Sequence, residues 1–422
     1  MRKAPPKLSM ISAGVLAVAV LVAGGAGPAT ARPAADGRGG SGGLPTEALD
    51  AALSGITTAG MIGAFAEVRD GRATWRGATG LADITTGREV RPGYQHRVGS
   101  ISKSFTATTV LQLVGEGRIS LDAPVRRYLP GLAPDGVTVR MLLNHRSGIG
   151  SYDRVIFATP ELVEQHRTTT FTPRELARIG LDMPATNPPG AAFAYSNTNY
   201  ILAGMIVERV TGRPAAEEIR RRILRPLDLD NTYLPGTAPR ITGPHSLGYV
   251  PWYAGELRDF SVYNMSWGWT AGELVSTTTD LDRFFRALFS GRLLRPAEQA
   301  QLLGFLPTDP TDPDGVRYGL GVLALPLSCG QAWGHDGVVF GYSTISLHSP
   351  DGRRQVTVAL NASHYQTPGA PDPIGAATAQ FISTALCGPE SADSATARTS
   401  VDRELRLTPA PGLAAYAPGG LG

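Results

Sequence analysis

Two stretches near opposite ends of the chain alternate apolar and polar residues in the pattern of β-hairpins. Residues 63–80, GAFAEVRDGRATWRGATG, place the Asp-Gly pair 70–71 between two strand-like runs. Residues 338–363, VVFGYSTISLHSPDGRRQVTVALNAS, repeat this arrangement around the Asp-Gly pair 351–352. Asp-Gly suits the tight turn that joins antiparallel strands. The pattern therefore predicts antiparallel β-structure at both ends of the folded body.

The middle of the chain has apolar residues at helical spacing. Segments 101–117, 198–214 and 278–291 show this spacing, and each runs into glycine at its end. Terminal strands with helices between them predict the α/β (α+β) class, with a central antiparallel sheet flanked by helices and a mostly helical lobe. The body between the chain ends has about 340 residues, which is large for one core and favours two lobes.

The N-terminus has the layout of a secretory signal peptide. Positive residues near the start precede an apolar run over 11–23, and Ala29-Thr30-Ala31 follows as a cleavage site. The alternative is a transmembrane anchor, but the apolar run is shorter than the ~20 residues that a span needs. We therefore expect a signal peptide over 1–31 and a secreted, extracellular protein.

The remaining boundaries follow from composition. Residues 32–46 are rich in glycine and lack a core pattern, which predicts a flexible leader. The tail, 389–422, is rich in Ala, Ser, Thr, Pro and Gly and is expected to be disordered. Residues 47–388 form the expected folded domain.

The charge balance argues against several classes of partner. The formal net charge is +3, and cleavage removes three positive charges (Arg2, Lys3 and Lys7), so the mature chain is neutral. A nucleic-acid or membrane-surface protein would need a basic patch. None of the seven histidines has zinc-ligand spacing to another histidine or to a cysteine. We expect a monomer without cofactor, metal, nucleic acid or stable membrane association.

The chain has two cysteines, Cys329 and Cys387. In an exported protein a single pair is most simply a disulfide, here closing a loop of 58 residues (387 − 329) and tying a C-terminal helix to a strand. The alternative is two free buried thiols.

Lys103 is the only lysine outside the first seven residues, in a chain whose other basic side chains are arginines. Ser100 precedes it by three positions, so a helix would place both on one face. A buried lysine can lose its proton and activate a serine hydroxyl, whereas arginine stays protonated. Free N–H groups at the helix start can stabilise an oxyanion. A helix-capping serine beside an exposed lysine would give the same pattern.

Two further stretches carry candidate chemistry. Tyr195 and Asn197 lie in a Pro/Gly-rich loop before a helix, where the phenol could pass a proton and the amide could hold a substrate carbonyl. An ordinary loop that caps the helix would look alike. His335 and Gly337 lead into a strand; the histidine would offer a donor or a positive charge, and the glycine would allow close approach of a substrate. The alternative is a turn with a surface histidine.

Together these stretches resemble the serine β-lactamase-like, penicillin-binding family. The chain is most similar to class C β-lactamases and the Streptomyces-type D-alanyl-D-alanine carboxypeptidase (peptidase family S12). VGSISKSF, LLNHRSGI, PGAAFAYSNTNY, STTTDLDRFF, YGLGV and SCG carry the likeness, which runs from about Gly63 to Cys387. The resemblance implies a β-lactamase/transpeptidase-like fold, and it places the cysteine pair where the carboxypeptidase has its disulfide.

The resemblance also implies roles for the candidate residues. Ser100 would form an acyl-enzyme, with Lys103 and Tyr195 sharing general base and general acid duty. The backbone N–H groups of Ser100 and Val338 would form the oxyanion hole, and Asn197 would bind the amide of the acyl side chain. The family's third motif is a His or Lys, any residue and Gly before a strand, which corresponds here to residues 335–337, and His335 would take the place of its cation. Trp267 would line the cleft, although a core tryptophan fits its pattern nearly as well.

Three positions depart from the carboxypeptidase pattern. Leu323 stands where an arginine binds the substrate carboxylate, Asp336 where Thr or Ser is usual, and Val338 where a threonine is expected. An acidic Asp336 would repel a substrate carboxylate. Arg317 is a candidate for compensating this loss.

The leading hypothesis is a secreted D-alanyl-D-alanine carboxypeptidase-type hydrolase that acts on D-amino-acid cell-wall peptides and binds β-lactams. One alternative keeps the fold and changes the substrate: an esterase, a D-aminopeptidase or amidase, or a β-lactamase. An alternative of another class is a non-catalytic β-lactam or peptidoglycan sensor, which the presence of Ser100, Lys103 and Tyr195 disfavours.

Overall fold

The computed structural model describes residues 43–252, 256–364, 366 and 371–389. The expected signal peptide, residues 32–42 of the expected leader and all but the first residue of the expected tail lie outside these ranges. Within them the strands are β1 (Gly63–Asp70), β2 (Ala73–Asp83), β3 (Arg88–Glu89), β4 (His96–Arg97), β5 (Tyr249–Pro251), β6 (Leu257–Asp259), β7 (Val275–Ser276), β8 (Leu306–Pro307), β9 (Arg317–Tyr318), β10 (Leu323–Leu327), β11 (Gly330–Val339), β12 (Tyr342–His348) and β13 (Arg354–Leu360).

The α-helices of the described ranges are α1 (Thr46–Thr58), α2 (Ser102–Gly115), α3 (Val139–Leu143), α4 (Asp153–Ile156), α5 (Pro160–Gln165), α6 (Pro173–Leu181), α7 (Asn197–Thr211), α8 (Ala215–Ile219), α9 (Trp269–Gly272), α10 (Thr278–Phe289), α11 (Pro296–Leu302) and α12 (Pro373–Cys387). In the described part of the chain, no helix is both long and apolar enough to cross a membrane.

Nine of the thirteen described strands form one large sheet in the order β3-β2-β1-β13-β12-β11-β10-β9-β8, with antiparallel neighbours throughout. The other four form two separate pairs, β4 with β7 and β5 with β6. β1 pairs with β13, Ala64 opposite Leu360, so both ends of the folded body meet at the centre of the sheet. The predicted antiparallel sheet and fold class are confirmed. The stretch 338–363 departs from prediction in one respect: its first residues belong to β11, so it contributes to two successive hairpins.

Both faces of the sheet are covered. Apolar residues on one face of β13, Val356 and Val358 among them, pack against α1 and α12. The intervening Thr357 faces the other way and donates to Asp282 on α10. Because strand side chains alternate between faces, a strand with helices on both sides becomes buried throughout.

The second hydrophobic core lies among the helices, and α2 runs through it. Residues 102–111 of α2 are all buried, whichever way their side chains point. Polar side chains of this helix are satisfied internally: Ser104 donates to the Gly321 carbonyl and Thr106 to the Thr270 carbonyl. A helix buried on every side gives a rigid base for the residues at its N-terminus. The three predicted helices are present as α2, α7 and α10.

Candidate active site

Ser100 lies in a single 3-10 turn, Gly99–Ile101, that runs directly into the N-terminus of α2. Gly99 has a φ of 53°, a left-handed conformation that glycine adopts without a steric penalty. Ser100 is partly exposed although the residues on both sides of it are buried. Its hydroxyl is therefore presented to solvent from a rigid base.

The side chain of Lys103 is fully buried, with 0% exposure, directly beside that hydroxyl. Its Nζ atom donates to Ser100 Oγ at 2.9 Å, to Asn197 Oδ1 at 2.7 Å and to the Ala271 carbonyl at 2.8 Å. Burial lowers the pKa of Lys103 from 10.5 to about 7, against the opposing charges of Asp153 and Asp336. The alternative of an exposed helix lysine is therefore wrong.

The three acceptors around Lys103 suit both of its protonation states. An ammonium has three N–H donors and satisfies all three acceptors. A neutral amine has two N–H groups and one lone pair, so it can keep its bonds to Asn197 and Ala271 and accept the proton of Ser100. Since the pKa is about 7, both states are populated near neutral pH. The arrangement can therefore remove a proton from Ser100 without rearranging the amine's neighbours.

Tyr195 lies over the same amine, with Lys103 Nζ 4.9 Å from the centre of its ring. Its hydroxyl is buried and, among the described residues, makes no hydrogen bond of ordinary geometry. Burial raises the pKa of Tyr195 well above 10, although the neighbouring Ser100 hydroxyl opposes that shift. The phenol is therefore neutral and able to donate a proton.

Asn197 begins α7, and its amide has a defined orientation. Its oxygen faces the Lys103 amine, so its NH₂ group is left to donate to a substrate carbonyl. Its backbone N–H donates to Ser151 Oγ at 2.8 Å, and Ser151 in turn donates to Asp153. This network ties the start of α7 to α4.

His335 is buried and hydrogen-bonded on both ring nitrogens. Nδ1 lies 2.5 Å from the Asp336 carbonyl and Nε2 2.8 Å from the Tyr318 hydroxyl. Nδ1 must therefore carry the hydrogen, and Nε2 accepts from the tyrosine. Burial lowers the pKa of His335 to about 4. Of the two predicted roles, a positive charge at neutral pH is wrong, because the ring is neutral and engaged within the protein.

Gly337 allows the segment 335–337 of β11 to lie directly against the turn that carries Ser100. A Cβ atom at this position would lie 2.7 Å from the Ser100 backbone nitrogen and 2.0 Å from the Val98 carbonyl oxygen. Gly99 is equally close to Val338, since a Cβ there would lie 2.8 Å from the Val338 nitrogen. The two backbone segments that supply the expected oxyanion hole thus touch through two glycines.

The edge of β11 is open at this point. β10 pairs with β11 only as far as Leu323 opposite Gly334. From His335 onward that edge of β11 is not paired with β10 and faces the turn that holds Ser100. An extended substrate can add to such an edge by main-chain hydrogen bonds.

Two sequence-based expectations for the substrate pocket are not supported. Trp267 is 8% exposed and packs edge-on against Phe157 in the helical core, so the core alternative is correct. Arg317 donates to Gln331 at 2.7 Å, five residues before Asp336 on β11, and so is engaged away from the pocket. It does not compensate for Leu323.

The disulfide was predicted correctly. Cys329 and Cys387 are bonded, with their Cα atoms 5.5 Å apart. Cys329 lies in the turn between β10 and β11, and Cys387 is the last residue of α12. The bond fixes the end of the helix to the hairpin that carries His335.

Three contributors to the site had no role assigned from the sequence: His145, Asp153 and the carbonyl of Ala271. His145 stacks on the Tyr195 ring at 4.1 Å, Asp153 acts on the charge of Lys103, and Ala271 accepts from its amine. His145 stands in the stretch LLNHRSGI that carried part of the resemblance, which was the one available signal.

Among the described residues, no group of three or more His, Cys, Asp or Glu side chains could hold a metal ion.

An activated serine at a helix N-terminus, a buried lysine one turn later and a tyrosine above both define a serine hydrolase of the β-lactamase/transpeptidase-like fold. Comparison with known proteins agrees with this class. The family model "Beta-lactamase" matches residues 49–380, and the chain belongs to that family.

Among curated relatives, penicillin-binding protein 4* of Bacillus subtilis (strain 168) is 28% identical over 294 residues, 67% of this chain and 64% of that protein. A D-aminopeptidase of Brucella anthropi is 27% identical over 306 residues, 71% of this chain and 56% of that protein. The chain thus spans less than two thirds of the length of these relatives. A solved D-stereospecific amidohydrolase from a Streptomyces species is 37% identical, with a TM-score of 0.72, over 81% of this chain and 99% of that one.

Proposed function

We propose that the protein hydrolyses D-amino-acid amides and peptides through an acyl-enzyme on Ser100, and that it prefers substrates without a free carboxylate beside the cleaved bond. The observation that supports this proposal is the negative charge of the carboxylates around the candidate active site. Within the described residues, the charged groups that act on Lys103, Tyr195 and His335 are Lys103 itself and the carboxylates of Asp153 and Asp336. The similarity to a D-stereospecific amidohydrolase supports the same substrate class.

The proposed reaction begins with neutral Lys103, which accepts the Ser100 proton as the oxygen attacks the substrate carbonyl. The oxyanion is stabilised by the backbone N–H groups of Ser100 and Val338. Tyr195 donates its proton to the leaving nitrogen and is reprotonated from Lys103. The amine product departs, and water hydrolyses the acyl-enzyme by the same proton transfers in reverse. We assign the role of base to Lys103 because its pKa is lowered, and the role of acid to Tyr195 because its raised pKa keeps the phenol protonated.

Asp336 is the residue that separates this proposal from a carboxypeptidase. Its side chain is 18% exposed, and Oδ1 lies 3.6 Å from His335 Nδ1. The aspartate brings negative charge to the mouth of the site, and the neutral ring of His335 does not offset that charge. With Leu323 and Val338 in place of an arginine and a threonine, the pocket has lost the groups that would bind a carboxylate. A terminal amide avoids the repulsion.

The test is a matched pair of substrates, acetyl-D-Ala-D-Ala and its C-terminal amide, which differ only in the terminal charge. We expect kcat/KM for the amide to be higher by about tenfold or more, with the difference shrinking as salt screens the repulsion. The L,L amide is the stereochemical control and should be a poor substrate. Faster hydrolysis of the free acid would overturn the proposal and favour the D-alanyl-D-alanine carboxypeptidase hypothesis, for which the similarity to penicillin-binding protein 4* is the specific support.

We also propose that the protein is exported. The support is the sequence pattern of residues 1–31, and the test is the N-terminal sequence of the mature protein in culture medium. A protein that keeps residues 1–31 and stays with the cells would contradict export.

A further inference from the structure

His145 holds both neighbours of Tyr195. The backbone N–H of Ala194, just before the tyrosine, donates to the His145 carbonyl at 2.8 Å. The backbone N–H of Ser196, just after it, donates to the His145 imidazole at Nδ1, at 3.2 Å. One residue therefore fixes the chain on each side of Tyr195.

The imidazole also supports the tyrosine ring directly. The two ring centres are 4.1 Å apart and the planes are inclined by 29°, which is a stacked arrangement. The Tyr195 hydroxyl lies near that of Ser100 but makes no hydrogen bond of ordinary geometry with the described residues, so contacts of the ring are the main support for the position of the phenol. Among the described residues, this stack is closer than any other aromatic contact of His145.

The backbone of His145 supports a specific role for this residue. His145 follows the end of α3 with a φ of 56°, a conformation that costs free energy for a residue other than glycine and tends to occur at functional sites. The side chain is 0% exposed. Burial, together with the nearby Lys103 and His335, lowers the pKa of His145 well below 6.5. The ring is thus neutral, as it must be for Nδ1 to accept from Ser196.

We propose that His145 is a positioning residue for Tyr195: it clamps the segment 194–196 and stacks on the phenol, so that the tyrosine hydroxyl stays aligned with the leaving group. This inference rests on the proposed function, in which Tyr195 protonates the leaving nitrogen. The histidine itself takes no part in proton transfer.

This role makes a prediction that general destabilisation does not make. An amide needs its leaving nitrogen protonated, whereas p-nitrophenolate leaves without a proton. Misplacing Tyr195 should therefore slow acylation by the amide much more than acylation by a p-nitrophenyl ester with the same acyl group, which is followed as the initial release of p-nitrophenolate. A fold defect would lower both rates by the same factor, because it reduces the number of working sites.

Two variants separate the effect of the hydrogen bond from Ser196 to the imidazole from the effect of the ring stacking on Tyr195. His145→Asn keeps an acceptor for Ser196 and tolerates the left-handed backbone, but it loses the ring. His145→Phe keeps a ring and loses the acceptor. For each we expect kcat on the D-amino-acid amide to fall by about 10- to 100-fold, as a small misplacement of a catalytic group does, with little change in the initial rate at which the ester acylates Ser100. Tyr195→Phe should show the same selective loss. If the Phe variant does not fold, the Asn variant decides.

The matched control is His348→Asn. His348 is equally buried, but it packs against Phe285 and Phe289, so its substitution should affect both substrates alike. Equal losses on amide and ester in the His145 variants, or no loss on the amide, would overturn the proposal. A burst of p-nitrophenolate counts acylating sites in each preparation. A wild-type enzyme that neither hydrolyses the D-amino-acid amide nor is acylated by the ester would refute the proposed function itself, so the two failures are distinguishable.

Discussion

The amine of Lys103 lies 2.9 Å from the hydroxyl of Ser100, and the lysine side chain is wholly enclosed by protein. The enclosure is what makes the pair reactive, because an exposed lysine would keep its proton at neutral pH and could not act as a base. The other two acceptors, on Asn197 and Ala271, hold the amine in place whichever protonation state it adopts. The predictions below test the parts of this arrangement separately.

The first prediction concerns the nucleophile. Ser100→Ala should abolish covalent labelling by a fluorescent ester that has no carboxylate beside the cleaved bond, since no other hydroxyl occupies its place at the turn before α2. The label is read on a denaturing gel. Ser104→Ala is the control: it removes a hydroxyl one turn further along the same helix, which donates to the Gly321 carbonyl, and it should still label. Labelling that persists in Ser100→Ala would refute the assignment.

The second prediction concerns the base. Lys103→Arg should reduce kcat nearly as much as Lys103→Ala, by about 10²- to 10⁴-fold, because a guanidinium stays protonated and cannot accept the serine proton. Thermal melting of both variants shows whether the loss exceeds any loss of fold. An arginine variant with substantial activity would contradict a proton-transfer role and leave only a role for positive charge.

The third prediction concerns pH. Neutral Lys103 is the reactive form, so kcat/KM on an uncharged ester should rise with pH through a midpoint near the lysine pKa of about 7. The Asp336 carboxylate raises this pKa. Removing its charge in Asp336→Asn should therefore move the midpoint to lower pH. A midpoint that stays fixed or moves upward would show that another group controls the profile.

The fourth prediction concerns the contact between β11 and the nucleophile turn. Gly337→Ala adds a Cβ atom 2.0 Å from the Val98 carbonyl oxygen and 2.7 Å from the Ser100 nitrogen, both backbone atoms that cannot move aside cheaply. We expect loss of acylation, measured by the ester burst, and a lower melting temperature.

Gly272→Ala is the matched control for this substitution. Its Cβ would meet nothing nearer than the Gly99 carbonyl carbon at 4.0 Å, an ordinary contact distance. It should acylate normally. Normal acylation in Gly337→Ala as well would mean that the expected oxyanion hole does not depend on this close approach.

The fifth prediction concerns the disulfide. Replacing Cys329 and Cys387 together by serine should lower the free energy of unfolding by about 2–4 kcal/mol, mainly because the unfolded chain loses a constraint. The catalytic rate should be unchanged, since Cys329 lies in an exposed turn six residues before His335. Denaturant titration measures the difference, and Ser328→Ala in the same turn is the control. Equal stability of the double variant and the wild type would contradict the prediction.

The sequence predicted the catalytic candidates whose side-chain type and spacing are themselves informative. A lone lysine three residues after a serine indicated their pairing, and the loop before α7 indicated Tyr195 and Asn197. The structure brings Lys103 into contact with Ser100, Asn197 and the Tyr195 ring. The hairpins and three of the long helices, α2, α7 and α10, were predicted as well, because their apolar spacing and terminal glycines are local signals.

What could not be predicted depends on tertiary packing. The third acceptor of Lys103 is a backbone carbonyl, and any residue type at position 271 supplies one. Burial decides that His335 is neutral and that Trp267 belongs to the core. The clamp formed by His145 requires knowing that segment 145–148 runs beside segment 186–196, which sequence spacing does not reveal.

The pairing of β1 with β13 also sets the order in which the molecule can assemble. The central ladder of the sheet joins Ala64 to Leu360, so a growing chain cannot close it until nearly the whole domain has been synthesised. Contacts between such distant residues make folding slow, because a long loop must be ordered before any of its pairing is gained. The serine is made early, but the strand that presents Gly337 to it is made late. A chain interrupted before β11 therefore has its nucleophile and its base but no completed catalytic centre, so acylation should appear only at the end of folding.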